Sequence, residues 1–162
     1  MAHYLVTGAA TGIGRAIKET LLAQSHQVST LDIRDADFQC DLSDPALRDA
    51  TLSALAKQQI FFDGIVTCAG VASHFPDIPA IPAINFFGSV RVVEALLDRL
   101  SSGARILAIS SNSAPQSRNT ELVAAMLEDD EQTTRRLSGE GSGHEAYAAS
   151  KLAIARWVRK RA

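Results

Sequence analysis

The sequence predicts an α/β fold: a Rossmann-like, doubly wound parallel sheet flanked by helices in three layers. Three observations predict it. Short apolar runs alternate with longer segments of helical period, the pattern of βαβ units. A glycine-rich loop follows the first apolar run and opens the first helix. The chain has 162 residues, 46% hydrophobic and 21% charged, which suits one domain with a sizeable core. A single domain over residues 1–162 is therefore expected, with an inserted segment over residues 112–144.

Each element follows in order. His3–Thr7 is an apolar run meeting Gly8-Ala9-Ala10-Thr11-Gly12, a strand entering a tight turn. Ile13, Ile17, Leu21 and Leu22 recur at helical spacing toward Ser25. Gln27–Leu31 predicts the second strand, closing at Asp32, and Asp37–Cys40 a brief third. Ser43-Asp44-Pro45 starts a helix, with Ser43 or Asp44 as cap and Leu47, Leu52 and Leu55 as its buried stripe. Ile60–Cys68 predicts the fourth strand, ending at Ala69-Gly70. A link carrying Pro76, Pro79 and Pro82 leads into a helix through Asn85, Val92, Val93, Leu96 and Leu97. Ala104–Ile109 predicts the fifth strand, closing on Ser110-Ser111. The inserted segment reads as polar and irregular, with one amphipathic piece over Leu122–Leu137. Ser138-Gly139-Glu140-Gly141-Ser142-Gly143 reads as a flexible loop. A final helix runs from Ala146 to Arg161.

Composition excludes several function classes. A net charge of -2 gives no footprint for nucleic acid or an anionic membrane. The basic cluster Arg156, Arg159, Lys160, Arg161 reads as a solvated helix end. Cys40 and Cys68 form no CxxC pair, and no His grouping has metal-ligand spacing, so no metal site is expected. Met1-Ala2-His3-Tyr4-Leu5-Val6 is too short an apolar run for a signal peptide, and no stretch has the length of a membrane span. A reducing, cytoplasmic location is expected.

The glycine loop points to a phosphate ligand. Its spacing is G-x3-G-x-G over Gly8, Gly12 and Gly14, not the commoner G-x-G-x-x-G. Such a loop lets backbone N–H groups and a positive helix end approach a pyrophosphate. Its other reading is a left-handed turn with a tightly packed helix start. Asp32 closes the second strand about 20 residues on, where a carboxylate can accept the ribose hydroxyls of an adenosine. It would repel a 2′-phosphate, so NAD is favoured and NADP disfavoured; Arg15 and Arg34 argue the other way. Asp41 serves either an adenine edge or the helix start at Ser43.

Tyr147 and Lys151 form Tyr-x-x-x-Lys on the last helix, one turn apart on one face. Two unit charges about 4 Å apart attract by roughly 4 kcal/mol at an effective dielectric near 20, which favours a phenolate beside the ammonium. A phenol poised that way is a useful acid or base for a carbonyl oxygen. Ser111 ends the fifth strand at its carboxyl edge, where a hydroxyl could donate to a substrate oxygen as charge develops. Asn85 disfavours a helix interior, so its position asks for a local reason.

Thr7 through Gly14, Cys68-Ala69-Gly70, Asn85, Ser111 and Tyr147/Lys151 stand in the order seen in classical short-chain dehydrogenases/reductases, and the chain resembles that family throughout. The resemblance implies an alcohol/ketone oxidoreductase acting on CH-OH groups with NAD(P), a single NAD(P)-binding domain and a small alcohol or carbonyl substrate. It implies Tyr147 as proton donor and acceptor, Ser111 as the group positioning the substrate oxygen, and Lys151 on the nicotinamide ribose. Asn85 would anchor a water linking Lys151 to solvent. Gly8, Thr11, Gly12, Ile13, Gly14, Asp32, Ile33, Asp41, Leu42, Cys68, Ala69, Gly70, Tyr147 and Lys151 would line the cofactor. One departure is Cys68, where most of the family has Asn before Ala-Gly.

The short link after Gly70, the long Ser111–Tyr147 spacing, Leu31-Asp32-Ile33-Arg34-Asp35-Ala36 and Asp41-Leu42-Ser43 are similar to the bacterial 3α-hydroxysteroid dehydrogenase/carbonyl reductase group. A ketosteroid or xenobiotic carbonyl is the substrate class this implies; the short link leaves little space for the long helix that many family members use to dimerise, and a homodimer stays open beside a monomer. Family members run nearly half as long again, so the last strands of the full fold are expected to be missing. Two alternatives stay open beside the enzyme: a non-catalytic NAD-binding module, and an inactive fragment.

Overall fold

A computed structural model describes all 162 residues. Five strands are present: β1 (His3–Thr7), β2 (Gln27–Asp32), β3 (Phe38–Gln39), β4 (Phe62–Thr67) and β5 (Leu100–Ala108). They form one sheet in the order β3-β2-β1-β4-β5. β1 pairs in parallel with β2 on one side and β4 on the other, and β2 pairs in parallel with β3. The order reverses direction at β1, the switch point where such sheets bind ligands beyond their strand carboxyl ends. The Rossmann-like α/β class expected from the sequence is the class observed.

Helices α1 (Gly12–Ala23) and α2 (Pro45–Lys57) follow β1 and β3. A continuous helical run occupies residues 80–95: α3 (Ala80–Pro82), a π-wound turn (Ala83–Gly88) and α4 (Ser89–Ala95). Beyond β5 come a 3-10 turn (Ala114–Gln116), then α5 (Thr120–Leu127), α6 (Glu131–Gly139) and α7 (Gly143–Arg161). No helix is long and apolar enough to cross a membrane.

The chain divides into two compact units. The first comprises Met1–Ala69 and Arg91–Leu107, the second Gly70–Val90 and Ala108–Ala162. The sheet centre of the first buries Leu5, Val6, Leu31, Phe62 and Ile65. Consecutive residues are buried along these strands, Ser29 and Thr30 beside Leu31 among them, as in parallel strands covered on both faces. The second unit buries Ile81, Phe86, Phe87, Leu122 and Met126 with a row of alanines on α7: Ala146, Ala148, Ala149 and Ala153. Those small side chains let α5 pack closely on α7.

Four expectations are corrected by the structure. Leu47 is exposed; the buried face of α2 is Arg48, Leu52 and Leu55. Their spacing of four and three residues keeps one face, and Leu47 lies one position, about 100°, away from it. Arg48 is tolerated there because its Nη1 donates to the Leu42 carbonyl at 3.1 Å. β5 begins at Leu100, not Ala104, because Gly103 takes φ 78° inside the strand and absorbs an irregularity that Ser101-Ser102-Gly103 disguises as a turn.

The other two concern the inserted segment, which is helical. The single amphipathic piece is two helices, broken at Asp129 with φ 65°. Asn119 caps α5 by accepting from the Leu122 N–H, and Asp130 caps α6 by accepting from the Thr133 N–H. The serine-glycine string is no flexible loop. Ser138 is buried in α6 with its hydroxyl on the Thr134 carbonyl, and Ser142 caps α7 by accepting from the Glu145 N–H at 3.2 Å. Polar composition misleads here because each hydroxyl is satisfied by nearby backbone.

Replacing Ser142 with alanine leaves that donor on α7 uncapped and should lower stability by about 1 kcal/mol. A urea unfolding curve with a lower midpoint and unchanged slope is the expected result.

Candidate active site

In the first unit the residues predicted to hold a dinucleotide lie at or just beyond the carboxyl ends of β1, β2, β3 and β4 and in the first turn of α1. Gly8 takes φ 68°, and a Cβ there would meet the Ala69 nitrogen at 2.7 Å. A Cβ on Gly14 would run into the Gly8 carbonyl, so the loop closes on the first turn of α1 only with glycine at both positions. At Gly12 nothing stands within 4 Å of where a side chain would be. Thr11 and Ile13 are exposed on either side of it.

α1 differs from the other long helices at its start. Asp44, Asn119, Asp130 and Ser142 cap α2, α5, α6 and α7 through their side chains, whereas Thr11 at the start of α1 makes no such bond. Its first turn also holds no acidic residue. Uncapped N–H groups at the positive end of a helix, beside a loop stripped of side chains, suit an anionic pyrophosphate.

Asp32 does something that sequence reasoning missed. Its Oδ2 accepts from the Ala10 N–H at 2.9 Å and its Oδ1 from the Ile33 N–H at 2.7 Å. The carboxylate therefore braces the glycine loop, while lone pairs on both oxygens stay suited to ribose hydroxyls. The Gly8 N–H donates to the Leu31 carbonyl and the Ala69 N–H to Thr7 Oγ1, which ties β1 to both neighbours at the switch point. Ile33 is exposed beside Asp32, Leu42 is buried, and Cys68 is half-buried at the end of β4. Asp41 accepts from the Ser43 N–H and hydroxyl, so the local-turn alternative describes its present contacts. Arg15 is engaged with Glu19 at 3.2 Å.

The second unit holds Gly70, Asn85, Ser111, Tyr147 and Lys151. Lys151 is 6% exposed, and its Nζ lies 5.8 Å from the Tyr147 ring centre. That Nζ donates to the Ile109 carbonyl at 2.9 Å, and Ser110 Oγ donates to the Lys151 carbonyl at 2.8 Å. The segment just past β5 thus grips the lysine at both ends. Ser110, read from the sequence as part of a loop, is a brace for it.

Asn85 sits in the π-wound turn with its side chain buried. Its Oδ1 accepts from the Val71 N–H at 2.8 Å; its Nδ2 donates to the Val71 carbonyl at 3.0 Å and to Ser150 Oγ at 3.3 Å. Both amide protons are engaged, so these contacts make Asn85 a strut between residue 71 and α7. That is the local reason its place in a helix required. A Cβ on Gly70 would stand 3.0 Å from Asn85 Oδ1 and 3.7 Å from Lys151 Nζ. Ser150, unremarked in the sequence, completes the strut by donating to the Tyr147 carbonyl at 2.7 Å.

Glu145 is a further residue that sequence reasoning missed. Its Oε1 accepts from Ser117 Oγ at 2.7 Å and from the Arg118 and Asn119 N–H groups at 3.0 Å each. It clamps the loop after Ser111 to the first turn of the helix that bears Tyr147. Burial pushes its carboxyl up, but these three donors and His144 outweigh burial and hold it below its ordinary value. No spacing rule pairs residue 145 with residues 117–119; only the fold does.

Residues 4–162 match the NAD dependent epimerase/dehydratase family. The chain belongs to that family. The resemblance to short-chain dehydrogenases read from the sequence is borne out by that match together with the relatives that follow. The 3-alpha-hydroxysteroid dehydrogenase/carbonyl reductase of Comamonas testosteroni is 36% identical over 170 residues, covering 100% of this chain and 66% of that protein. The crystal structure of a 3-alpha-hydroxysteroid dehydrogenase from a Pseudomonas species, complexed with NADH, superposes with a TM-score of 0.90 at 33% identity over 99% of this chain and 65% of that one. The coniferyl-alcohol dehydrogenase of another Pseudomonas is 31% identical over 113 residues, 66% of this chain and 43% of that protein. This family member thus spans just under two thirds of the length of the first two, 66% and 65%.

The Glu145 clamp makes a pH prediction. A carboxyl held low in the folded state stabilises fully above its unfolded value, 4.5, and loses that contribution as pH falls through the lower folded value. Glu145→Gln should therefore destabilise the protein at pH 7 and converge on the wild type in strong acid, read from unfolding midpoints across pH.

Proposed function

We propose that this protein is an NAD-dependent oxidoreductase that interconverts a secondary alcohol and its ketone, with Tyr147 as the general acid and base. The observation that carries the proposal is the Tyr147–Lys151 pair on α7, with the lysine gripped from both ends by residues 109 and 110. Bound nicotinamide would supply the hydride acceptor or donor. In the oxidative direction Tyr147 takes the proton from the substrate hydroxyl, and in the reductive direction it returns one to the carbonyl oxygen. Ser111 donates a hydrogen bond to that oxygen as negative charge develops. Lys151 holds the nicotinamide ribose, and Asn85 and Ser150 keep α7 in register for both roles.

The residues suit the cofactor on physical grounds. The glycine loop and uncapped α1 fit a pyrophosphate. Asp32 offers a carboxylate to the ribose hydroxyls and would repel a 2′-phosphate, which favours NAD over NADP. Likeness over the full chain to a 3-alpha-hydroxysteroid dehydrogenase/carbonyl reductase supports a 3α-hydroxysteroid or xenobiotic carbonyl as the substrate class. A cytoplasmic location accords with such a substrate and cofactor.

Purified protein given NAD⁺ and a panel of secondary alcohols, including 3α-hydroxysteroids, should produce the NADH absorbance band. Tyr147→Phe should lower kcat by about 10²-fold or more, the usual contribution of a general acid–base group, while NAD affinity changes by less than about twofold. NAD binding with no turnover of any alcohol would favour a non-catalytic nucleotide-binding module, and an undiminished kcat in the Phe variant would refute the role of Tyr147.

A further inference from the structure

We infer that Ser113 is a positioning residue that orients and polarises the hydroxyl of Ser111. The inference rests on the proposed alcohol/ketone chemistry at Ser111 and adds a residue to it. Ser111 Oγ accepts from Ser113 Oγ at 2.9 Å and from the Ser113 N–H at 3.2 Å. The Ser111 hydroxyl proton itself points to Asn112 Oδ1, at 3.4 Å.

These three contacts differ in strength, and the difference carries the argument. Two donors on one hydroxyl oxygen occupy its acceptor sites and leave its proton as the only free valence. The remaining contact, to exposed Asn112, is at the long limit of a hydrogen bond. It is the one readily exchanged for another acceptor, such as a substrate oxygen. A hydroxyl that accepts from other donors also becomes a better donor, because chained hydrogen bonds polarise one another. As negative charge builds on a substrate oxygen, the Ser113 hydroxyl and N–H dipoles both point the right way to stabilise it through Ser111.

The backbone holds Ser113 where this requires. The Ala114 N–H donates to the Ser111 carbonyl at 3.2 Å, and the Gln116 N–H to the Ser113 carbonyl at 2.9 Å, so residues 111–116 form a continuous tight turn. The segment is fastened next by Glu145, which gathers Ser117, Arg118 and Asn119. A second serine two positions on could serve the turn alone. The N–H bond to Ser111 would suffice for that, and it survives any side-chain change. The side-chain hydroxyl adds a donor aimed at the same oxygen, and its value lies in catalysis.

A double-mutant cycle separates the two roles. Ser111→Ala, Ser113→Ala, the double variant and Ser113→Thr would be compared for kcat, for KM toward the alcohol and NAD⁺, and for thermal midpoint. Ser113→Ala should lower kcat about tenfold, the loss expected for one hydrogen bond that strengthens in the transition state, with KM for NAD⁺ unchanged. Once Ser111 is alanine, removing the Ser113 hydroxyl should change the residual rate by less than about twofold. Ser113→Thr keeps a hydroxyl and should recover most of the rate. Equal losses in both backgrounds, or a kcat that follows the thermal midpoint instead of the hydroxyl, would overturn the assignment to Ser113 alone. An undiminished rate in Ser111→Ala, or no turnover by the wild type, would instead overturn the reading of the site on which it rests.

Discussion

A lysine that is 6% exposed needs its charge answered by the protein, because an ammonium removed from water without a partner is strongly destabilising. Lys151 is answered in a way that also dictates architecture. Its side chain reaches forward to the Ile109 carbonyl, while its own carbonyl receives the Ser110 hydroxyl. One residue is thus pinned through both its backbone and its tip to two consecutive residues just past β5. A helix held at one such point can neither slide along its axis nor rotate without losing a bond to a charged group, worth about 1.5–3 kcal/mol. Tyr147, one turn earlier on the same helix, inherits that placement.

The rest of the second unit extends the same constraint. Asn85 and Ser150 brace α7 from the side of the π-wound turn, and Glu145 braces its first turn to the loop after Ser111. The alanines of α7 make this possible, because small side chains let helices and turns come close enough for short polar side chains to span the gap. The two helices of the inserted segment complete the packing on α7. Their polar composition is no obstacle to order, since Thr134 and Ser138 return their hydroxyls to backbone carbonyls one turn earlier, those of Asp130 and Thr134.

The first unit follows the opposite polar logic. Where α7 has its first-turn donor capped by Ser142, α1 begins with an uncapped turn and a loop of residues too small to cover it. Asp32 secures that loop from behind through the Ala10 N–H, and Thr7 ties the end of β1 to the Ala69 N–H just past β4. That carboxylate is a structural brace in the fold, and its remaining lone pairs are those that the proposed function assigns to the ribose hydroxyls.

Much of this was legible in the chain. Alternating apolar runs and helical periods determined an α/β fold and its five strands, because a strand buried on both faces and a one-faced helix need different spacings of the same residues. The glycine loop, Asp32, Ser111 and the Tyr147–Lys151 pair were visible for the same reason: each obeys a local rule of backbone conformation or helical repeat. Leu47 on α2 failed by one residue, since a single position rotates a helical side chain off the buried face. The helices of residues 112–144 failed because composition does not reveal which hydroxyls will bond to nearby carbonyls. The braces made by Ser110, Glu145, Ser150 and Ser113 lay beyond the sequence. The first three join groups far apart in the chain, and a hydrogen bond between distant residues depends on distances that exist only after folding. Tertiary structure alone decided how the lysine is held; the sequence by itself had already determined that a lysine would stand one helical turn from the phenol.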